Sequence, residues 1–254
     1  MRVLALTLVG ALFGVAASAQ PVPAVKPAQE AERGDSLGEF INTLPRRKPR
    51  PPAVSPEPVA RERASADTRR RLAASATGAS GCEARLAALG VQFSVAPPIK
   101  QGACGAPRPL QVSAIGDAAL KPAAVVRCPV ALSTAEWLSD VVQPAARREL
   151  RTEVAAIYVA ASYACRRRNN QSTGRLSEHG LANAIDVRGF GLENGQEFAV
   201  APARSRRGRQ VRFQKAIREG ACEFFGTVLG PGADAFHDDH LHFDMRQRRR
   251  AFCR

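Results

Sequence analysis

Beyond its first twenty residues the chain has no apolar run approaching the ~18 residues that span a bilayer as a helix, so no membrane-spanning helix is expected in the mature protein. None of its six cysteines stands in a C-x-x-C pair, which leaves thiolate zinc clusters and thioredoxin-type chemistry without their usual residues. The G-x-S-x-G nucleophile elbow, the phosphate-binding loop and the dinucleotide fingerprint are all missing. Acidic residues are in deficit, with 23 Asp+Glu against 37 Lys+Arg for a formal net charge of +14, and such a balance draws a chain to polyanions. Only four histidines are present.

What the chain does contain begins with 45% apolar residues, enough for a core and too many for a wholly disordered protein. Its start runs from the basic Arg2 through an apolar stretch at residues 3–15 to the small residues Ala17, Ser18 and Ala19. That order predicts a signal peptide over residues 1–19, cleaved after Ala19, and a secreted or periplasmic protein. Cys82, Cys104, Cys128, Cys165, Cys222 and Cys253 are even in number, which fits export and predicts up to three disulfides whose pairing the sequence leaves open.

Residues 20–80 hold nine of the 18 prolines and few clustered apolar residues, so they cannot bury enough surface to offset their ordering entropy. Between Arg46 and Arg71 nine basic residues face three acidic ones, a local balance of +6. The stretch reads as a disordered, basic, partly polyproline linker. In an exported protein its polyanion is the cell wall or an anionic envelope surface, and no specific nucleic-acid partner is expected. A solvated spacer without a partner explains the composition equally well.

Residues 81–254 are the predicted folded domain. Residues 82–89 read as a helix closed by Gly90, and Val91–Val95 alternates as a strand. Ser133 with Glu136 three residues later predicts a capping box opening a helix that buries Trp137, Leu138, Val141 and Val142, with Pro144 interrupting or restarting it. Residues 154–163 mix β-branched side chains with alanines, so strand and buried helix compete, strand ahead. Short strands are expected at 184–187 and 197–200, joined through Glu193, Asn194 and Gly195. A helix over 210–225, with Phe213, Ile217, Ala221 and Phe224 at helical spacing, and a final strand over 241–245 complete the pattern. Hairpin strands with helices segregated between them predict an α+β domain, a mainly antiparallel sheet with flanking helices.

The histidines carry most of the chemical information. His179 opens H-G-L-A-N-A-I-D, which places Asp186 seven residues on, and His237, His240 and His242 crowd into H-D-D-H-L-H. On a strand His240 and His242 project to the same side, roughly 7 Å apart. They can converge with an imidazole and a carboxylate from the other segment on one ion. A His, Asp, His set with one open position suits a catalytic zinc, although copper or nickel accepts the same donors. A lone H-x-H is more often polar surface or satisfied core; every histidine lying in two short segments beside aspartates favours a metal.

S-E-H-G-L-A-N-A-I-D at 177–186 followed by D-H-L-H at 239–242 resembles the S-x-H-x-x-G-x-A-x-D plus H-x-H signature of the zinc D-alanyl-D-alanine carboxypeptidases and their superfamily with lysostaphin-type endopeptidases and hedgehog domains. Y-A-C-R-R-R-N-N at 163–170, the S-E-H segment, T-V-L-G-P-G at 227–232, D-H-L-H-F-D and the closing C-R are more closely similar to the bacterial extensin-like C-terminal domain, over essentially residues 82–254. The resemblance implies a hedgehog/D-Ala-D-Ala-peptidase-like fold, with zinc held by His179, Asp186 and His242 and with His240 handling protons. It also implies that Asp239 matches a catalytic glutamate of some relatives, although on a regular strand Asp239 would face away and so ranks below His240. Similar peptidases hold a substrate carbonyl or carboxylate with an arginine from the region of Arg166, Arg167 and Arg168, and Arg166 is favoured here; the alternative is that all three only add to surface charge. Ala182 stands where the peptidases carry glycine. Asp244 shares the face of His242 and is either a carboxylate that orients it or a plain surface carboxylate, while His237 is a looser candidate for a transition-state contact. The implied function is an exported zinc-dependent peptidase acting on amide bonds in peptidoglycan stem peptides or cross-links. The alternative is a non-catalytic zinc-containing module that binds the cell wall, with the basic tail of Arg246, Arg248, Arg249 and Arg250 favouring a carboxylate-rich wall in either case.

Overall fold

The computed structural model describes residues 66–74, 79–205 and 207–254. The expected signal peptide and most of the expected linker lie outside the described residues. The end of the linker stretch differs from its expectation, because Ala66–Ala74 forms a helix, α1. Composition suggests no order there, but Arg71 on this helix meets a buried carboxylate of the domain, Glu178, and that contact is invisible to a local reading.

Ala79–Ala88 (α2) stops before Gly90, whose φ of +70° turns the chain into Val91–Val95 (β1). Ile99–Gln101 (β2) and Cys104–Ala106 (β3) make a small separate hairpin. Leu110–Ile115 (β4) and Ala118–Val126 (β5) follow as a second hairpin. The next helix, α3, starts at Cys128–Trp137 and continues as a helical path through two π turns, Leu138–Val142 and Ala146–Leu150, to Arg151 in the left-handed region at φ 63°.

The expected start of α3 needs correction. It begins five residues before Ser133, because the extended Arg127 caps it and Pro129 fills its first turn, where a missing N–H costs nothing. Ser133 is therefore a buried interior residue and no capping box forms. Pro144 does restart the helix: it falls in the first turn of a short α segment, Gln143–Ala145, between the two π turns, while the helical path continues.

Val154–Ala161 (β6) is the strand favoured by its β-branched residues. Ala184–Leu192 (β7) is longer than its sequence suggests and pairs with Glu197–Ala199 (β8). At Gly189 a Cβ would lie 2.3 Å from the Phe198 carbonyl, so only glycine permits this close approach. Arg209–Gly220 (α4), Thr227–Leu229 (β9), Leu241–Asp244 (β10) and the two-residue Phe252–Cys253 (β11) complete the domain. The main sheet runs β1-β4-β5-β6-β7-β10-β9-β11, with β8 beside β7, and it is open rather than closed into a barrel. Only the β5–β6 and β9–β11 pairs are parallel, which makes the fold the expected α+β type on a mainly antiparallel sheet.

The core lies between one face of this sheet and the helices. Trp137 is fully buried, packs edge-on to Phe243 at 4.8 Å and donates its indole N–H to the Ile217 carbonyl at 2.8 Å. Phe225 stacks on Phe243 at 4.6 Å, and Phe198 meets Phe213 edge-on at 4.8 Å. Because side chains alternate along a strand, burying Leu241 and Phe243 here turns His242 and Asp244 to the opposite face. Three disulfides, Cys82–Cys128, Cys104–Cys165 and Cys222–Cys253, use all six cysteines.

Candidate metal centre

Sheet register builds half of the site. In the antiparallel β7–β10 pair, His242 stands directly opposite Asp186, and its Nδ1 lies 2.8 Å from Asp186 Oδ1. On the other side of Asp186 the register partner is Ala161, whose small side chain leaves the face open. The third group arrives on the 3-10 turn Glu178–Leu181, which Ser177 caps by accepting the His179 N–H. That turn places His179 Nε2 3.2 Å from both Asp186 Oδ1 and His242 Nδ1. A tetrahedral ion with bonds of roughly 2.0–2.1 Å separates its donors by about 3.3 Å, so these three atoms fit one ion.

The outer ring nitrogens are also spoken for. His179 Nδ1 lies 2.6 Å from the Ser162 carbonyl, and His242 Nε2 lies 3.3 Å from Asp244 Oδ2. Each contact takes up the outer nitrogen, so that the inner one, Nε2 of His179 and Nδ1 of His242, faces the cluster. Burial opposes the charge on Asp186, but His179, His242 and His240 hold its carboxyl well below the usual carboxylate range. Burial likewise opposes protonation of His242, yet its hydrogen bonds with Asp186 and Asp244 raise its pKa to about 9. A tight cluster that binds a proton this firmly is one in which a metal ion can take the proton's place.

Between the turn and β7 the backbone does something uncommon. Ala182, at the position where the peptidase signature has glycine, adopts φ 48° and ψ 29°, the left-handed region. Its N–H bonds to the His179 carbonyl at 3.0 Å and its carbonyl accepts from Arg127 at 2.7 Å. The fully buried methyl is accommodated, and the cost of replacing glycine falls on the backbone.

A cavity of about 410 Å³ opens beside the cluster. His240 lines it just before β10 begins, with Nε2 3.8 Å from Asp186 Oδ2 and Nδ1 2.8 Å from Asp239 Oδ1. Asp239 does not face away as a regular strand would require, because the strand starts only at Leu241; it lines the cavity and holds the His240 ring. His237 Nδ1 lies 2.7 Å from Asp234, and burial lowers its pKa despite that partner. Arg166 lies 3.9 Å from Asp186 Oδ2 on the same cavity wall. His179, Asp186, His242, His240, Asp239 and Arg166, with the looser candidates His237 and Asp244, thus line one cavity.

Residues 80–254 match the family described as Extensin-like protein C-terminus. The chain belongs to this family. No curated protein and no solved structure matches it. The extensin-like match takes in every residue of the cluster and of the cavity wall, and leaves α1 outside.

Several parts of this extensin-like site have no signal in the sequence. The Ser162 carbonyl that orients His179 is a backbone group, and nothing in its residue type announces it. Glu178 is buried and tied to Arg71 and Asn183, a network whose members lie far apart along the chain. The rim formed by Arg248 and Phe252 depends on β11, too short to be seen as a periodic pattern.

Proposed function

We propose that this extensin-like domain is an exported, zinc-dependent hydrolase of amide bonds in peptidoglycan stem peptides or cross-links, related in chemistry to the zinc D-alanyl-D-alanine carboxypeptidases. Residues 1–19 act as the signal peptide and most of 20–80 as a basic linker to the wall. The observation that carries the reading is a three-donor cluster at the side of an open cavity, with His240 next to it and not part of it. A purely structural ion has no use for either feature. Three disulfides support an oxidising compartment.

Zinc supplies Lewis acidity toward an amide carbonyl and toward water. His179, Asp186 and His242 would hold it. His240, oriented through Nδ1 by Asp239, presents Nε2 to the cavity, where an imidazole can accept a proton and return it to a leaving amine. Burial keeps His237 neutral near pH 7, so it can share hydrogen bonds without adding charge.

The test separates ligand from proton carrier. His240→Ala should keep zinc and fold while ending the release of fragments from purified peptidoglycan, read by chromatography and mass spectrometry. His179→Ala should lose both zinc and activity. Fully zinc-loaded wild-type protein that cleaves no muropeptide overturns the hydrolase and leaves a wall-binding module. A His240→Ala variant as fast as wild type overturns the assignment of the proton carrier.

A further inference from the structure

A second cavity, of about 330 Å³, shares no lining residue with the one beside the cluster. Its walls come from α3, from the β4–β5 turn at Gly116 and Asp117, and from the β7–β8 turn at Glu193. Ile115, Leu138 and Val154 form an apolar floor and are almost fully buried, whereas Leu89, just after α2, stands 42% exposed at the edge. Covering that leucine and the open side of the floor would take apolar surface out of water.

The rim carries charge of one sign. Arg147 and Glu153 pair with each other at 3.1 Å, which leaves Asp117 and Glu193, both exposed and, among the described residues, without an ion pair. Acids elsewhere on the domain, such as Glu83, Glu136 and Glu149, each hold an arginine. Two uncompensated carboxylates at one groove stand out in a chain of net charge +14. A ligand for this groove has to bring positive charge and apolar surface together.

Residues 45–52 of this chain, P-R-R-K-P-R-P-P, supply both, with four cations set among four prolines. Proline has no N–H, so half of the segment can lie on an apolar floor without stranding a donor, and its preference for the extended polyproline helix exists before binding. The described chain starts at Ala66, and residues 53–65 connect the segment to it. Those thirteen residues reach on the order of 45 Å when extended, about the diameter of a domain of this size, so the groove is within range. Such a tether gives an effective concentration on the order of 1 mM, at which a contact too weak to form between separate molecules forms within one.

We propose that residues 45–52 dock in this groove of their own domain, with prolines against Leu89 and the floor and cations at Asp117 and Glu193. The groove then competes with any anionic surface for the basic segment. This site involves neither the metal centre nor the hydrolase activity.

Zero-length carbodiimide cross-linking of the full chain at low protein concentration, read by mass spectrometry, tests the docking. Lys48 is the one lysine between Lys26 and Lys100, so its products are unambiguous. It should join Asp117 or Glu193 at least about tenfold more often than Asp140 or Glu223, exposed acids that line neither cavity, tenfold being what about 1.4 kcal/mol of preference gives. Pro49→Ser combined with Pro51→Ser and Pro52→Ser keeps every charge and should remove that preference, as should Leu89→Ser; neither variant alters a cross-linked group. If Leu89→Ser fails to fold by circular dichroism, the proline variant, changed only outside the described residues, decides. An even spread of Lys48 over exposed acids, no Lys48 product at all, or a preference that survives the proline replacements overturns the docking. In a mixture of isotope-labelled and unlabelled protein, linked pairs should carry one label only. Pairs of mixed label would mean that a second copy fills the groove, and would overturn the intramolecular site. Metal content and muropeptide cleavage do not enter this readout, so failure here and failure of the hydrolase are distinguishable.

Discussion

Arg71 reaches from helix α1 to ion-pair with Glu178, the residue immediately before His179. The Glu178 side chain is 2% exposed, accepts from Asn183 at 2.7 Å and lies 3.8 Å from Arg246. Asn183 in turn accepts from Arg127, whose pKa burial lowers to about 10. The turn that delivers a cluster histidine is thus braced by a segment that precedes the family-matched region.

Removing that brace should be measurable. Arg71→Ala strips a buried carboxylate of its main cation while Asn183 and Arg246 remain, and Arg71 itself is 30% exposed. A loss of roughly 1–3 kcal/mol is expected, below the figure for breaking a fully buried pair. Urea denaturation of the full chain checks it; an unchanged midpoint would show that α1 contributes nothing to the turn.

Asp244 should matter to the metal without touching it. Its carboxylate faces His242 Nε2 and also accepts the Arg246 N–H at 2.9 Å, so it is itself held in place. Asp244→Asn is expected to weaken zinc binding by about 10–100-fold, the usual effect of losing such an orienting partner. Competition with a chromogenic chelator reads this directly, and His242→Ala should abolish stoichiometric binding in the same assay.

The metal-free protein should lose stability as pH rises. The pKa of His242 is raised to about 9 in the fold against an ordinary value of about 6.5. Its protonation therefore contributes stability in full below about 6.5, and that contribution disappears as pH climbs through 9. Thermal melts of chelator-treated protein should fall across this window, and those of His242→Gln should not. A metal ion held by these donors would have to displace the same proton, so zinc affinity should rise with pH over the same range, and calorimetry at pH 7 in buffers of different ionisation enthalpy should detect proton release. Zinc uptake without proton release would contradict this charge state.

Ala182 offers a test of backbone strain. A left-handed alanine costs roughly 1–2 kcal/mol, while glycine gives back about 0.4–1 kcal/mol through the greater freedom of the unfolded chain. Ala182→Gly should therefore be neutral to about 1 kcal/mol stabilising, with an unchanged m-value, and Ala182→Val strongly destabilising. Clear destabilisation by glycine would mean that packing of the methyl outweighs its conformational cost.

The elements legible in the sequence are those with a strong local pattern. Val91–Val95 alternates and forms a strand, and Phe213 and Ile217, spaced for a helix, are both fully buried. The α3 start was obscured because Ser133 and Glu136 imitate a cap, whereas Pro129 sets the true first turn. The cluster histidines and Asp186 stood out by residue type and crowding, but their meeting depends on the pairing of His242 with Asp186 across strands more than fifty residues apart. Arg166 and Arg168 look alike in sequence; only their neighbours, Asp186 for one and no acid within bonding distance for the other, tell them apart.

The Cys104–Cys165 bond acquires a further meaning from the way the cluster is assembled. Asp186 and His242 are joined by sheet pairing, but the His179 turn is held against the segment after β6, where Ala164 N–H bonds to the His179 carbonyl at 3.2 Å one residue from Cys165. The two-donor half and the third donor are therefore secured by different chemistry. Removing this one bond, as Cys104→Ser with Cys165→Ser would, is therefore expected to loosen the His179 turn while the strand pairing that joins Asp186 to His242 stays in place.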